Sequence, residues 1–203
     1  MPPPLAAGRV APYGRMPMNE PYQSAGEGRL ADGSAPATAQ ELLAYLDQLG
    51  IAARSFEHPA VYTVDEAKAL RGELAGTHIK NLFLRNKKGV MWLVTCQEDR
   101  VIDLKALGEL IGAGRLSFAS TERLMNRLGV LPGAVTPFGA LNDRQGKVTV
   151  VLDSALPEQN PVNCHPLVNT MTTALSGRDL VRFLESTGHP PELLDFTPAD
   201  PDD

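Results

Sequence analysis

The stretch that most constrains this chain runs from His78 to Cys96. Two β-prone segments, His78 to Arg85 and Val90 to Cys96, are separated by Asn86-Lys87-Lys88-Gly89, which carries the turn chemistry of a β-hairpin. An antiparallel pair must therefore sit in the sheet of whatever fold forms. Around it, helical and strand signals alternate. Thr38-x-x-Glu41 is a capping box, and Leu42, Leu43, Leu46 and Leu49 form one apolar face before Gly50 ends the helix. Ile51 to Glu57 reads as a strand, and Thr63-x-x-Glu66 opens a second helix that fades near Gly72 to Gly76. Helices are expected at Asp103 to Ile111 and Thr121 to Leu128, with a strand at Arg115 to Ala119 between them.

Further on, Val130 to Gly139 is too broken by Gly and Pro to be regular and reads as a shaped loop. Val148 to Leu152 follows as a strand, Val162 to His165 and Val168 to Thr172 are short strand candidates, and Ser176-x-x-Asp179 caps a final helix ending at Gly188. Hairpin-like spacings outnumber strand-helix-strand units. The expected fold is α+β, a single domain with a mixed, largely antiparallel sheet surrounded by helices.

At 203 residues the chain can bury a core of ordinary domain size. Residues 1–35, rich in Pro, Gly, Ala and Ser without a period, are expected to be a disordered extension; residues 36–194 form the domain and 195–203 an acidic tail. No apolar run approaches the roughly 20 residues needed to span a bilayer, and no secretory h-region opens the chain. A cytoplasmic location away from membranes is expected. Cys96 and Cys164 are too few for a disulfide framework and lack zinc-site spacing, and the four histidines are scattered, so no metal is expected.

The net charge of −5 opposes a large nucleic-acid footprint. Its distribution matters more. The tail holds four acids and no base, whereas residues 36–194 carry 16 basic against 17 acidic residues. A small, salt-sensitive grip on an RNA end is compatible with that balance.

Three features could carry chemistry. Lys80 shares a strand face with His78, Leu82 and Leu84, opposite Ile79, Asn81 and Phe83, and reads either as a snorkelling rim lysine or as a cation awaiting an anionic ligand. The loop Gly133-x-x-x-Pro137, followed by Phe138-Gly139, is either a tight connection or a backbone cradle aimed at developing negative charge. His165 is either a structural histidine or a group that orients substrate or water. A Cys164–His165 nucleophile pair is rejected, because neighbours on a strand face opposite ways. There is no nucleophile elbow and no Walker loop.

Taken together, Glu57-His58-Pro59-Ala60-Val61-Tyr62-Thr63, Lys80-Asn81-Leu82-Phe83-Leu84, Gly133-Ala134-Val135-Thr136-Pro137-Phe138-Gly139 and His165-Pro166-Leu167-Val168-Asn169-Thr170 resemble the YbaK and prolyl-tRNA synthetase editing-domain family in order and spacing. The resemblance covers nearly all of residues 38–194 and is nearest to the freestanding branch that deacylates alanyl-tRNA(Pro). It implies hydrolysis of the ester that joins a wrong amino acid to the 3′-terminal adenosine of tRNA(Pro), without a cofactor, beside prolyl-tRNA synthetase as a possible partner. By the same resemblance, Lys80 engages the terminal phosphate and ribose, with Asn81 next to it. Gly133 and Pro137 frame the loop that positions the ester, and His165 lines the aminoacyl pocket. Rival readings are a deacylase for another ester such as cysteinyl-tRNA(Pro), and a non-catalytic module that binds the tRNA end.

Overall fold

The computed structural model describes residues 28–59 and 74–196. The expected helix at Thr63, the Ala60 to Thr63 part of the first motif, the first 27 residues and the last seven lie outside them.

Eight strands form one mixed sheet in the order β1-β7-β6-β2-β3-β5-β8, with β4 paired to β2. They are β1 Arg54–Glu57, β2 Thr77–Arg85, β3 Met91–Gln97, β4 Ser117–Phe118, β5 Val148–Asp153, β6 Val162–Cys164, β7 Met171–Leu175 and β8 Glu192–Leu194. Among the described residues, four pairings are antiparallel and three are parallel. Among the described residues four α-helices accompany them: α1 Ala39–Gln48, α2 Leu104–Leu110, α3 Thr121–Leu128 and α4 Gly177–Ser186.

The hairpin forms as its turn residues require. Asn86 Oδ1 accepts from the N–H groups of Lys88 and Val90 at 2.9 and 3.1 Å, and Gly89 takes φ 82°, a left-handed conformation that glycine adopts without a Cβ penalty. In β3 the side chains alternate between two apolar clusters. Met91 and Leu93 join the cluster that holds α1, α3 and α4, while Trp92 and Val94 join a smaller one built on α2, Leu116 and Phe196. Both faces of the central sheet are thus covered, which is why Met91 to Val94 run apolar rather than alternating. Each helix begins where a side chain caps it, at Thr38, Asp103, Ser120 and Ser176.

Several boundaries differ from expectation. Residues 28–35, assigned to the disordered extension, lie against the body. Leu30 is buried and the Ala31 N–H donates to the Asn126 carbonyl at 2.8 Å, so an isolated leucine in a polar segment finds an apolar site that no local pattern announces. Phe196, assigned to the tail, likewise packs on the smaller cluster. The strand expected at Val168 to Thr172 begins three residues later, at Met171. Leu167 is the cause: its φ of 66° reverses the chain after β6. Val130 to Gly139 was expected to be irregular, but its last three residues open a 3-10 helix, Pro137–Asn142, with proline at its start. β8 is three residues long and was not anticipated, being too short and exposed to show a period.

Candidate active site

β2 is bonded to β3 along one edge, while its other edge meets β6 at Thr77 and His78 and β4 at Leu84 and Arg85. Between those two partners no strand pairs with it among the described residues. Lys80 and Asn81 stand in this interruption. The parallel register sets Thr77 opposite Val162 and His78 opposite Asn163; carried two residues further, it sets Lys80 level with His165. The pairing of β2 with β6 therefore brings the second and fourth sequence motifs to one end of the sheet.

Asn81 joins the second motif to the third. Its Nδ2 donates to the Val135 carbonyl at 2.9 Å, and its Oδ1 accepts from the fully buried Thr95 hydroxyl at 2.7 Å, which fixes the amide's orientation. The loop it holds is itself constrained. Gly133 has φ 91°, Ala134 N–H donates to Leu131 at 3.0 Å, and Thr136 Oγ1 accepts from Phe138 N–H at 3.3 Å. Phe138 is buried edge-on against Phe183, with ring centroids 5.1 Å apart. By contrast, the N–H groups of Val135 and Thr136 meet no acceptor among the described residues, although Thr136 is completely buried. Loop N–H groups aimed at developing negative charge are the kind of donor an oxyanion needs.

His165 follows β6 in the turn closed by Leu167 N–H donating to the His165 carbonyl at 2.9 Å. Its Nδ1 lies 3.0 Å from the Met171 carbonyl and, facing an acceptor, carries the proton. His58, from the first motif, stands with its ring centroid 6.1 Å away.

The profile of the aminoacyl-tRNA editing domain matches residues 58–183. This chain belongs to the aminoacyl-tRNA editing domain family. It is 42% identical over 151 residues to the prolyl-tRNA editing protein ProX of Acetoanaerobium sticklandii, covering 74% of this chain and 92% of that protein. It is 41% identical over 165 residues to prolyl-tRNA synthetase associated domain-containing protein 1 of Mus musculus, covering 77% and 97%. The fold is shared with a solved candidate trans-editing enzyme for prolyl-tRNA synthetase, at TM-score 0.61 and 23% identity over 80% of this chain and 98% of the other. As a member of the editing-domain family, the chain is an aminoacyl-tRNA deacylase.

Within this editing domain Lys80 leaves β2 on the face opposite Asn81, alongside Leu82 and Leu84, as strand alternation requires. Its Nζ donates to the Arg100 carbonyl. No carboxylate pairs with it among the described residues, so a half-buried ammonium keeps donors for an anion. Arg100 and Asp153 support it, and sequence reasoning missed both. Asp153 is fully buried at the end of β5 and accepts from Arg100 Nε at 3.1 Å and from the N–H groups of Gln97 and Ala155 at 3.4 and 3.0 Å. An acid closing the apolar run Val148 to Leu152 was the available signal, since a buried carboxylate requires a partner.

Both cysteines of the editing domain are buried free thiols. Burial pushes the Cys96 thiol up to about 11, against a lowering effect of Lys80, and pushes Cys164 higher still. Asn163 is also noteworthy, since its buried Oδ1 has no hydrogen-bond partner among the described residues. No group of three potential metal ligands occurs among the described residues, and no helix there is long and apolar enough to cross a membrane.

The tie between Asn81 and the loop can be tested directly. Asn81→Ala is expected to lower the single-turnover rate by about tenfold, because the hydrogen bonds to the Val135 carbonyl and from the Thr95 hydroxyl, each about 1 kcal/mol, are lost with some preorganisation. Thermal unfolding should shift by only a few degrees. A parental rate would show that the amide does not position the loop.

Proposed function

We propose that this deacylase edits tRNA(Pro) carrying the wrong amino acid, alanine foremost, and that it works alongside prolyl-tRNA synthetase. The observation that carries the reading is the clamped loop, held by the Asn81 amide at Val135, in which the N–H groups of Val135 and Thr136 meet no acceptor among the described residues. The names of the similar proteins from Acetoanaerobium sticklandii and Mus musculus support the proline system.

An aminoacyl ester is already activated, so the protein needs to position water and stabilise the tetrahedral oxyanion. Water attacks the ester carbonyl carbon, and the loop N–H groups receive the oxyanion. Collapse breaks the bond to the ribose oxygen, which takes a proton, releasing the free amino acid and uncharged tRNA. Lys80 anchors the phosphate and ribose of the terminal nucleotide, Pro137 holds the loop's shape, and His165 lines the aminoacyl pocket. No covalent intermediate and no cofactor enter this scheme.

Selectivity has a physical origin. A pocket shaped for proline gains only about 1–3 kcal/mol over a smaller side chain, so a second site that excludes proline by size is needed. The decisive experiment charges tRNA(Pro) separately with alanine, cysteine, serine and proline and follows ester loss. Fast release of alanine with proline retained is expected. Comparable release of proline would refute editing, preferential release of cysteine would reassign the substrate, and release of none would leave only a tRNA-end binding module.

A further inference from the structure

The first β-strand carries a row of side chains that the deacylation scheme does not use. Among the described residues β1 pairs only with β7 and no strand lies along its other edge, and all four of its residues are exposed. Ser55 turns inward, its hydroxyl 2.9 Å from that of the buried Thr173. Strand alternation sends Glu57 to that same side and places Arg54, Phe56 and His58 together on the other. Two contacts agree with this placement. The Arg54 guanidinium lies 5.7 Å from the centroid of the Phe56 ring. Phe56 is opposite Thr172 in the register, and the Thr172 hydroxyl is 2.9 Å from His58 Nε2.

His58 is held at both ring nitrogens. Its Nδ1 faces the Pro59 carbonyl at 2.9 Å and therefore carries a proton; in the neutral ring Nε2 then accepts from Thr172. Beyond it stands the His165 ring. A row thus runs from His165 through His58 and Phe56 to Arg54, in steps of roughly 7 Å along the strand. It begins at the expected aminoacyl pocket and ends in solvent.

An exposed phenylalanine on an open edge strand is a liability for a protein, because it invites pairing with another chain. Here it is 36% exposed beneath a guanidinium that has no ion pair among the described residues. An accessible ring beside an arginine, with no carboxylate on the same face of the strand among the described residues, makes a stacking platform for single-stranded nucleic acid. We infer that the Arg54–Phe56–His58 row binds the unpaired 3′ end of the tRNA, with Phe56 stacking the base before the terminal adenosine and Arg54 meeting its phosphate. This rests on the deacylase reading above and adds the surface that guides the RNA into it.

Binding is measured apart from turnover, by anisotropy of a labelled RNA hairpin bearing an unpaired CCA 3′ end. Phe56→Ala is expected to weaken binding about tenfold, within the range for one lost stacking contact. Phe56→Trp should retain affinity, whereas Phe56→Leu, which keeps the apolar bulk, should not. Arg54→Gln should weaken binding and flatten its salt dependence. In turnover, the loss caused by Phe56→Ala should be larger for alanyl-tRNA(Pro) than for 2′(3′)-O-alanyl-adenosine. Parental RNA affinity in Phe56→Ala, or equal affinity of the Leu and Trp variants, would overturn the inference. Failure of the parent to hydrolyse either ester would instead strike the deacylase reading and leave the binding result standing.

Discussion

Alanine at position 80 is expected to slow ester hydrolysis by about a hundredfold or more while leaving the fold intact. The reasoning is electrostatic. Lys80 is half-buried, has one hydrogen bond, to the Arg100 carbonyl, and has no carboxylate partner among the described residues. Its removal deletes a charge that the substrate's phosphate and ribose would meet, yet little apolar packing goes with it. The stability cost should be about 1 kcal/mol, the net worth of one hydrogen bond. Lys80→Arg should rescue poorly, because a planar fork cannot keep the ammonium's contact with a single carbonyl in the same geometry. Single-turnover deacylation and thermal unfolding, measured side by side, separate the two effects. A parental rate in the alanine variant would remove Lys80 from the site.

The second large effect is expected at Gly133. With φ at 91°, it occupies a region that side chains rarely adopt, so Gly133→Ala forces either strain of roughly 1–2 kcal/mol or a shift of the loop. The loop is tied to the sheet by the Asn81 amide at Val135, two residues further on, so a shift at Gly133 also strains that bond. The Val135 and Thr136 N–H groups would move with it, and a displacement near 1 Å can cost about a hundredfold in rate. Gly89→Ala supplies the control. Gly89 has a similar φ of 82°, in the hairpin turn, with nothing within 4 Å of an added Cβ. It should lose stability and keep its rate. Equal rates for the two variants would show that the loop's shape does not matter to the chemistry.

Much of the architecture was legible because it is local. The hairpin at Asn86 to Gly89, the caps at Thr38 and Ser176, and the apolar face of α1 all depend on residues within a few positions of one another. The misplaced β7 depended instead on Leu167, a leucine in the left-handed region, where propensity would not put it. Leu30 and Phe196 were assigned to flanking segments because one apolar residue in a polar stretch has no period to read. The site divides in the same way. Lys80, Asn81, Gly133, Pro137 and His165 were nameable from motif order, whereas Arg100 and Asp153 meet across 53 positions and belong to no motif.

The amino-acid sequence by itself determined the family, the hairpin at the centre of the sheet, and the strand alternation that sends Lys80 and Asn81 to opposite faces. Those properties follow from residue type and spacing alone. Only the tertiary structure decided that Asn81 grips Val135, that Asp153 anchors the arginine whose carbonyl holds Lys80, and that His58 meets His165 at the end of an exposed Phe56 and Arg54 row. Each of these is a contact between distant segments. Its geometry is set by sheet order and register, which no local pattern encodes.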